Sequence, residues 1–141
     1  MDEKLQLKSQ VCFPIYSLSR KIINSYRPFL EELDITYPQY LVLMVLWENE
    51  LQTVNQIGEK LNLDSGTLTP LLKRLEAKTL ICRSRRRSDE RVVEITLTDN
   101  GKALKEKAAY VPEKVMEAIG ITREDMEDLK RIVTKVLNRS K

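Results

Sequence analysis

The chain contains no histidine. Without an imidazole it has no side chain that ordinarily titrates near neutral pH, and histidine-based catalysis and most zinc sites are excluded. Only two cysteines are present, Cys12 and Cys82, seventy positions apart, a spacing that forms no metal-ligand pattern. No metal and no cofactor is therefore expected. Long apolar runs are missing too: the longest, Tyr40 to Trp47, is far too short to span a bilayer, so no membrane association is expected. The opening residues, MDEKLQLKSQ, lack the apolar core of a signal peptide, and a cytoplasmic location is expected on that basis. No segment is repetitive or low in complexity.

An apolar content of 42% beside a charged content of 32% fits an ordered, helix-rich protein. At 141 residues the chain fits one domain, with or without dimerisation arms, and can bury roughly two-thirds of its unfolded surface. Its charge is unevenly placed. Between Lys73 and Arg91 lie eight basic residues (Lys73, Arg74, Lys78, Arg83, Arg85, Arg86, Arg87 and Arg91) against three acids (Glu76, Asp89 and Glu90). That local balance of +5 exceeds the net +3 of the whole chain, so the remainder is slightly acidic. Positive charge gathered on one segment of a near-neutral chain is the footprint of a phosphate-binding surface. An arginine-rich hairpin tip that is merely solvated is the plainer alternative.

Apolar spacing gives the elements. Val11, Ile15, Leu18, Ile22, Tyr26 and Leu30 predict a long amphipathic first helix over about 7–30, with Pro14 near its start or at a bend and Pro28 in its last turn or beyond it. Thr36 and Gln39 match a capping box that opens a second helix running to about Asn49, with Tyr40, Leu43, Met44 and Trp47 as its buried stripe. Thr53 to Leu61 reads as a short third helix. Asn62 to Asp64 reads as the turn of a helix-turn-helix, and Asp64 as the N-cap of a fourth helix that buries Leu68, Leu71, Leu72 and Leu75. Leu80–Arg87 and Arg91–Leu97 read as two strands joined by a basic wing. A fifth helix is expected from the Thr98–Gly101 cap through about Ile119, bent or interrupted near Pro112. Thr122 and Asp125 open a last helix whose Met126, Leu129, Ile132, Val133, Val136 and Leu137 form a narrow apolar seam. Such a seam needs a partner, and with the first helix it suits a two-fold interface; packing within one chain is the alternative.

The fourth helix has the composition of a major-groove reader. Ser65, Thr67 and Thr69 can bond phosphates or base edges, Pro70 can touch thymine methyls, and Gly66 permits close backbone approach. Lys73 and Arg74, one to two turns on, are placed for the backbone or peripheral bases. Arg85, Arg86 and Arg87 on the ribbon suit the neighbouring minor groove, with Arg91 as the inserted side chain and Asp89 orienting its guanidinium. A solvent-exposed ion pair without a role is the plain reading of Asp89 and Arg91. Pro70 breaks helix propensity, and sites that defy local preference are often functional.

The segment LDSGTLTPLLKRLE, the wing with Asp89, Glu90 and Arg91, and the downstream LTDNG resemble the MarR family of bacterial transcription regulators over nearly the whole chain. With an N-terminal cysteine, the resemblance is strongest to the organic-hydroperoxide repressors, the OhrR group, and their thiol-based staphylococcal relatives. It implies a mainly α fold with a small β-wing, in which residues 36–111 form a winged helix-turn-helix and residues 1–35 and 112–141 supply dimerisation helices. It further implies a homodimer on double-stranded DNA, at a pseudo-palindromic operator, with recognition helices about 34 Å apart.

Cys12, Tyr16 and Ile23 share one helix face, which Tyr26 continues. The resemblance makes Cys12 the peroxide sensor, with Tyr26 and Tyr37 of the other subunit bonding to its sulfur. Phenolic donors favour a thiolate over a thiol, the thiolate attacks a peroxide oxygen, and the resulting sulfenic acid condenses with a small thiol, another cysteine or a backbone nitrogen. Apolar Val11, Phe13 and Ile15 suit an organic hydroperoxide as oxidant. Cys82 is expected to be a half-buried packing residue. The two-cysteine members of the group keep their resolving cysteine near the C-terminal helices, where this chain has none, so the resemblance implies a one-cysteine switch completed by a low-molecular-weight thiol, with engagement of Cys82 as the weaker alternative. Read without the resemblance, a lone helical cysteine is ordinarily a small buried hydrophobe. The expected function is thus a redox-sensing DNA-binding regulator, a repressor released by oxidation of Cys12, and no enzyme. The alternatives are a MarR-type repressor released by a phenolic or lipophilic ligand, a thiol peroxidase, and a winged helix used for protein contacts.

Overall fold

The computed structural model describes residues 3–139. Two short 3-10 turns precede α1 (Cys12–Glu32), followed by α2 (Tyr37–Glu48), β1 (Leu51–Thr53), α3 (Val54–Leu61), α4 (Ser65–Ala77), β2 (Ile81–Arg86), β3 (Asp89–Leu97), α5 (Asp99–Ala108), α6 (Val111–Ile119) and α7 (Arg123–Arg139). The predominance of helix with one small sheet is the fold class read from the sequence. The chain separates into two units: Arg27–Tyr110, and the residues up to Tyr26 together with those from Val111 onward. No helix among the described residues is long and apolar enough to cross a membrane.

The first helix begins later than its apolar spacing suggests. Leu7–Ser9 is a 3-10 turn, and α1 starts at Cys12, which puts Pro14 in the first turn where its missing N–H would have no partner in any case. Pro28 lies inside the helix, near its end. In the unit that holds the basic segment, α2 is capped as expected: Thr36 Oγ1 accepts from Gln39 N at 3.4 Å and Gln39 Oε1 accepts from Thr36 N at 3.0 Å. Its buried set differs from the expected stripe. Val42, Leu43, Val45 and Leu46 are inside with Tyr40 and Gln39, whereas Met44 is exposed and Trp47 half-buried. A helix apolar all round cannot be assigned a single face from its sequence, because every register looks equally good. Trp47 places its indole at the rim, where Nε1 donates to the carbonyl of Gly101 at 2.9 Å.

The sheet has the order β1-β3-β2, antiparallel throughout. The third strand, β1, is not evident in the sequence: three residues have no measurable period, and Leu51–Thr53 is extended because it pairs with β3 at Thr96, Ile95 and Glu94. Its last residue, Thr53, also opens α3 through a capping box with Gln56, at 3.1 and 2.9 Å. The fifth helix of the sequence reading is two helices here, α5 and α6, with Pro112 in the first turn of the second.

Two glycines hold close backbone approaches. A Cβ at Gly58 would stand 2.8 Å from the Leu63 carbonyl oxygen, so the helix-turn-helix corner closes only over glycine. At Gly101 a Cβ would overlap the Leu80 carbonyl oxygen outright, and α5 could not sit against the base of the hairpin.

Candidate nucleic-acid interface and thiol site

The helix-turn-helix is built by local rules. Asn62 takes the left-handed conformation, φ 55°, that asparagine tolerates better than most residues, and Leu63 N donates back to Gly58 O at 2.9 Å. Asp64 then caps α4, its Oδ1 accepting from Thr67 N at 2.7 Å. Hydrogen bonding to Thr67 holds the Asp64 carboxyl below its ordinary value, so the cap is charged at neutral pH. Leu68, Leu71, Leu72 and Leu75 turn inward, all at most 7% exposed. That stripe leaves Ser65, Gly66, Thr67, Pro70, Lys73 and Arg74 outside, with Thr69 half-buried at the margin. The sequence-predicted reading face is therefore one continuous exposed face of one helix.

Two residues on it are costly. Proline inside a helix costs about 3 kcal/mol and glycine up to about 1 kcal/mol relative to alanine. Pro70 is exposed and α4 runs unbroken through it. Gly66 is not required by the packing: a Cβ there would meet nothing nearer than Asp64 Oδ1, at 3.7 Å.

The wing follows from a shift in strand register. β2 and β3 pair regularly from Ile81 with Leu97 to Arg85 with Val93; Arg86 then faces Asp89, so Glu90, Arg91 and Val92 bulge out of the ladder. Bulges re-aim side chains, and this one throws out Arg91, whose side chain is 90% exposed. Asp89 grips it at the base: Arg91 Nε donates to Oδ1 at 3.0 Å, Nη2 to Oδ2 at 3.2 Å, and the Arg91 amide also reaches Oδ1, at 3.1 Å. Those bonds lower the Asp89 carboxyl below its usual range. The expected pair thus exists as a bidentate fork.

The other arginines divide into two groups. Arg83 is tied to Glu76 at 3.0 Å and Arg86 to Glu94 at 3.0 Å. Hydrogen bonding to Arg83 also holds the Glu76 carboxyl low. Arg85 donates to the Glu90 carbonyl at 2.9 Å and keeps its charge. Among the described residues no acid pairs with Lys73, Arg74 or Arg87. A cleft of about 400 Å³ brings helix and wing together, lined among others by Ser65, Thr69, Lys73, Arg83, Arg85 and Arg91. Thr53 and Asn55, at the start of α3, line the same cleft. Sequence reading does not single them out; the only signal is the TVNQ capping box that fixes where α3 begins.

Cys12 is the first residue of α1 and is exposed. Its neighbours Val11, Phe13 and Ile15 are exposed as well, at 71%, 45% and 58%. Tyr16 lies one turn on, with the Arg20 guanidinium 5.5 Å from its ring centre. Tyr26 is on the same helix, fourteen residues from Cys12. At 1.5 Å per residue that is about 21 Å, so Tyr26 cannot reach the sulfur of its own chain. Tyr37 opens α2, with burial raising its phenol above the ordinary value, so it stays a neutral donor. Cys82 contradicts the half-buried expectation. Ile81 takes the inner position on β2, at 1% exposed, and strand alternation puts Cys82 on the open face.

A family model described as "Transcriptional regulator SarA/Rot" matches residues 24–108. An organic hydroperoxide resistance transcriptional regulator of Bacillus subtilis is 48% identical over 130 residues, covering 92% of this chain and 86% of that protein. The structure of reduced AbfR bound to DNA, AbfR being a protein of Staphylococcus epidermidis, superposes with a TM-score of 0.80 at 39% identity, covering 99% of this chain and 96% of that one. Disulfide-formed AbfR gives 0.65 at 42% identity, covering 96% and 95%. These relatives are regulators, not enzymes, which removes the thiol peroxidase reading. The chain belongs to the SarA/Rot family of transcriptional regulators, in the organic-hydroperoxide repressor group of the MarR-type winged-helix proteins.

Proposed function

We propose that this regulator is a homodimeric repressor that grips a pseudo-palindromic operator in its reduced form and lets go when an organic hydroperoxide oxidises Cys12. Helix α4 enters the major groove through Ser65, Gly66, Thr67, Thr69 and Pro70, while Lys73 and Arg74 hold the phosphate backbone. The wing follows the adjacent minor groove with Arg85 and Arg87 along its backbone, Arg86 beside them tied to Glu94, and Arg91 inserted, held in orientation by Asp89.

The observation that carries the redox part is the setting of Cys12: an exposed sulfur at the head of α1, among exposed apolar side chains. Exposed apolar groups favour a second copy of the chain and an apolar oxidant alike. The exposed Ile132, Val133, Val136 and Leu137 of α7 extend the apolar surface of the same unit. As the family resemblance implies, the sulfur's phenolic partners are Tyr26 and Tyr37 of the partner subunit; Tyr26 of the same chain lies about 21 Å along α1, out of reach. Attack of the thiolate on the peroxide releases an alcohol and leaves a sulfenic acid. A low-molecular-weight thiol condenses with it, expelling water and forming a mixed disulfide whose bulk opens the phenol contacts.

The test is a gel-shift titration on the chain's own upstream region with and without cumene hydroperoxide. Cys12→Ser is expected to bind as the parent does and to ignore the peroxide. Release of that variant by the peroxide would overturn the assignment of Cys12.

A further inference from the structure

Pro70 and Gly66 stand four residues apart on the exposed face of α4, and neither is demanded by the fold. Their spacing makes them one device. The amide of residue 70 would ordinarily donate to the carbonyl of residue 66; proline has no amide hydrogen, and its ring crowds that same carbonyl and tilts it away from the helix axis. Gly66 therefore carries a main-chain acceptor with no helical donor, near the N-terminal end of the helix and on its solvent side. With no Cβ at Gly66, nothing of the residue's own shields that oxygen. The neighbouring side chains on this face, Ser65 and Thr67, are hydroxyls that can donate or accept and so discriminate weakly between base edges. A carbonyl only accepts.

We infer that the Gly66 carbonyl is a base-reading group, accepting a hydrogen bond from the exocyclic amine of an adenine or a cytosine in the operator. Those amines are the hydrogen-bond donors that a base pair shows in the major groove, so a bare acceptor at the tip of the reading helix selects one base over its complement. Pro70 is the positioning residue that keeps the acceptor free. The inference rests on the placement of α4 in the groove proposed above.

The experiment is a set of anisotropy titrations of the full chain and of Pro70→Ala against operator duplexes changed at one base at a time. Each adenine is replaced by purine, which lacks the 6-amine, each cytosine by 2-pyrimidinone, which lacks the 4-amine, and each thymine by uracil, which lacks the methyl. For the parent, one amine deletion per half-site is expected to weaken binding about 2- to 12-fold, the range of a single net hydrogen bond. The same deletion should leave Pro70→Ala unchanged, because its restored amide occupies the carbonyl. Equal losses for parent and variant at every amine position would overturn the inference, as would a variant coupled only to a thymine methyl, which would make the ring itself the contact. Failure of the parent to bind any duplex would overturn the groove placement and the inference together. Thermal unfolding of Pro70→Ala at or above the parent's midpoint separates these outcomes from misfolding.

Discussion

The arginines of the wing are not interchangeable, and their ion pairs predict which of them sets the salt dependence of DNA binding. Among the described residues no acidic side chain is bound to Lys73, Arg74, Arg85 or Arg87, whereas Arg86 is held by Glu94 in a pair whose acid is only 21% exposed. Four free cations in each subunit of the proposed dimer give roughly eight phosphate contacts, hence a slope of log affinity against log salt near −7 and a loss of about 10⁴-fold between about 50 and about 200 mM salt. Arg87→Ala removes one free cation per subunit and should flatten the slope by about 2. Arg86→Ala removes a guanidinium already neutralised by Glu94, so its slope should move by well under 1. Anisotropy titrations of one operator duplex across that salt range measure both. Equal slopes for the two variants would refute the idea that local pairing decides which arginine meets phosphate, and an unchanged slope for Arg87→Ala would take the wing off the backbone.

Other expectations concern the scaffold that presents these groups. Asp64, Glu76 and Asp89 all have carboxyls lowered in the folded protein, so the folded state binds fewer protons than the unfolded chain through the carboxylate range. Their stabilisation is complete above the unfolded values, about pH 4, and is lost as pH falls through the lower folded ones; a melting temperature that stayed flat down to about pH 2 would contradict it. Leu75 is fully buried on the inner face of α4, and Leu75→Ala should cost about 2–5 kcal/mol in urea unfolding, with a smaller loss marking a site that collapses onto the gap. Gly101→Ala should lower the melting temperature sharply, because its Cβ would fall on the Leu80 carbonyl; Gly66→Ala, whose Cβ makes only an ordinary contact with Asp64 Oδ1 at 3.7 Å, should not. Calorimetry of the two alanine variants side by side checks the contrast.

Much of this arrangement was legible in the sequence because it is set by near neighbours. The caps at Thr36 and Asp64, the inward stripe of α4, the α3–α4 corner and the basic hairpin each depend on residues a few positions apart, and each was readable as spacing. What escaped depends on partners distant along the chain. β1 is a strand only because β3 offers it an edge, and the face of α2 is chosen by what surrounds it on every side. The exposure of Cys82 follows from Ile81 taking the inner position, a choice of register that one residue's identity does not reveal. At the candidate site, the Asp89–Arg91 fork was legible as a two-residue spacing, but the bulge that projects it is a property of the pairing and not of either strand. The roles of Tyr26 and Tyr37 came from resemblance alone.

The fold also holds the link that a switch of this kind needs. Lys78 ends α4, and its ammonium donates to the main-chain carbonyl of Asp34, in the turn that closes α1, and to Gln39 Oε1 at 3.3 Å. That same Gln39 oxygen accepts from the Thr36 amide, and Gln39 is only 3% exposed. One charged side chain therefore fastens the far end of the reading helix to the joint between α1 and α2. Leu30 and Ile35, at 2% and 5% exposed, pack the two sides of that joint, and Asp34 between them takes a left-handed conformation, φ 57°. A displacement of the last turn of α1 must then either break a charge-assisted hydrogen bond beside a buried glutamine or carry α4 with it. Breaking it leaves the Gln39 amide oxygen with one of its two donors, so the contact couples the turn after α1 to the end of α4. A typical allosteric coupling is about 1–3 kcal/mol, which is of the order of such a contact, and in the proposed dimer a joint displacement of the two α4 helices would spoil their match to successive major grooves.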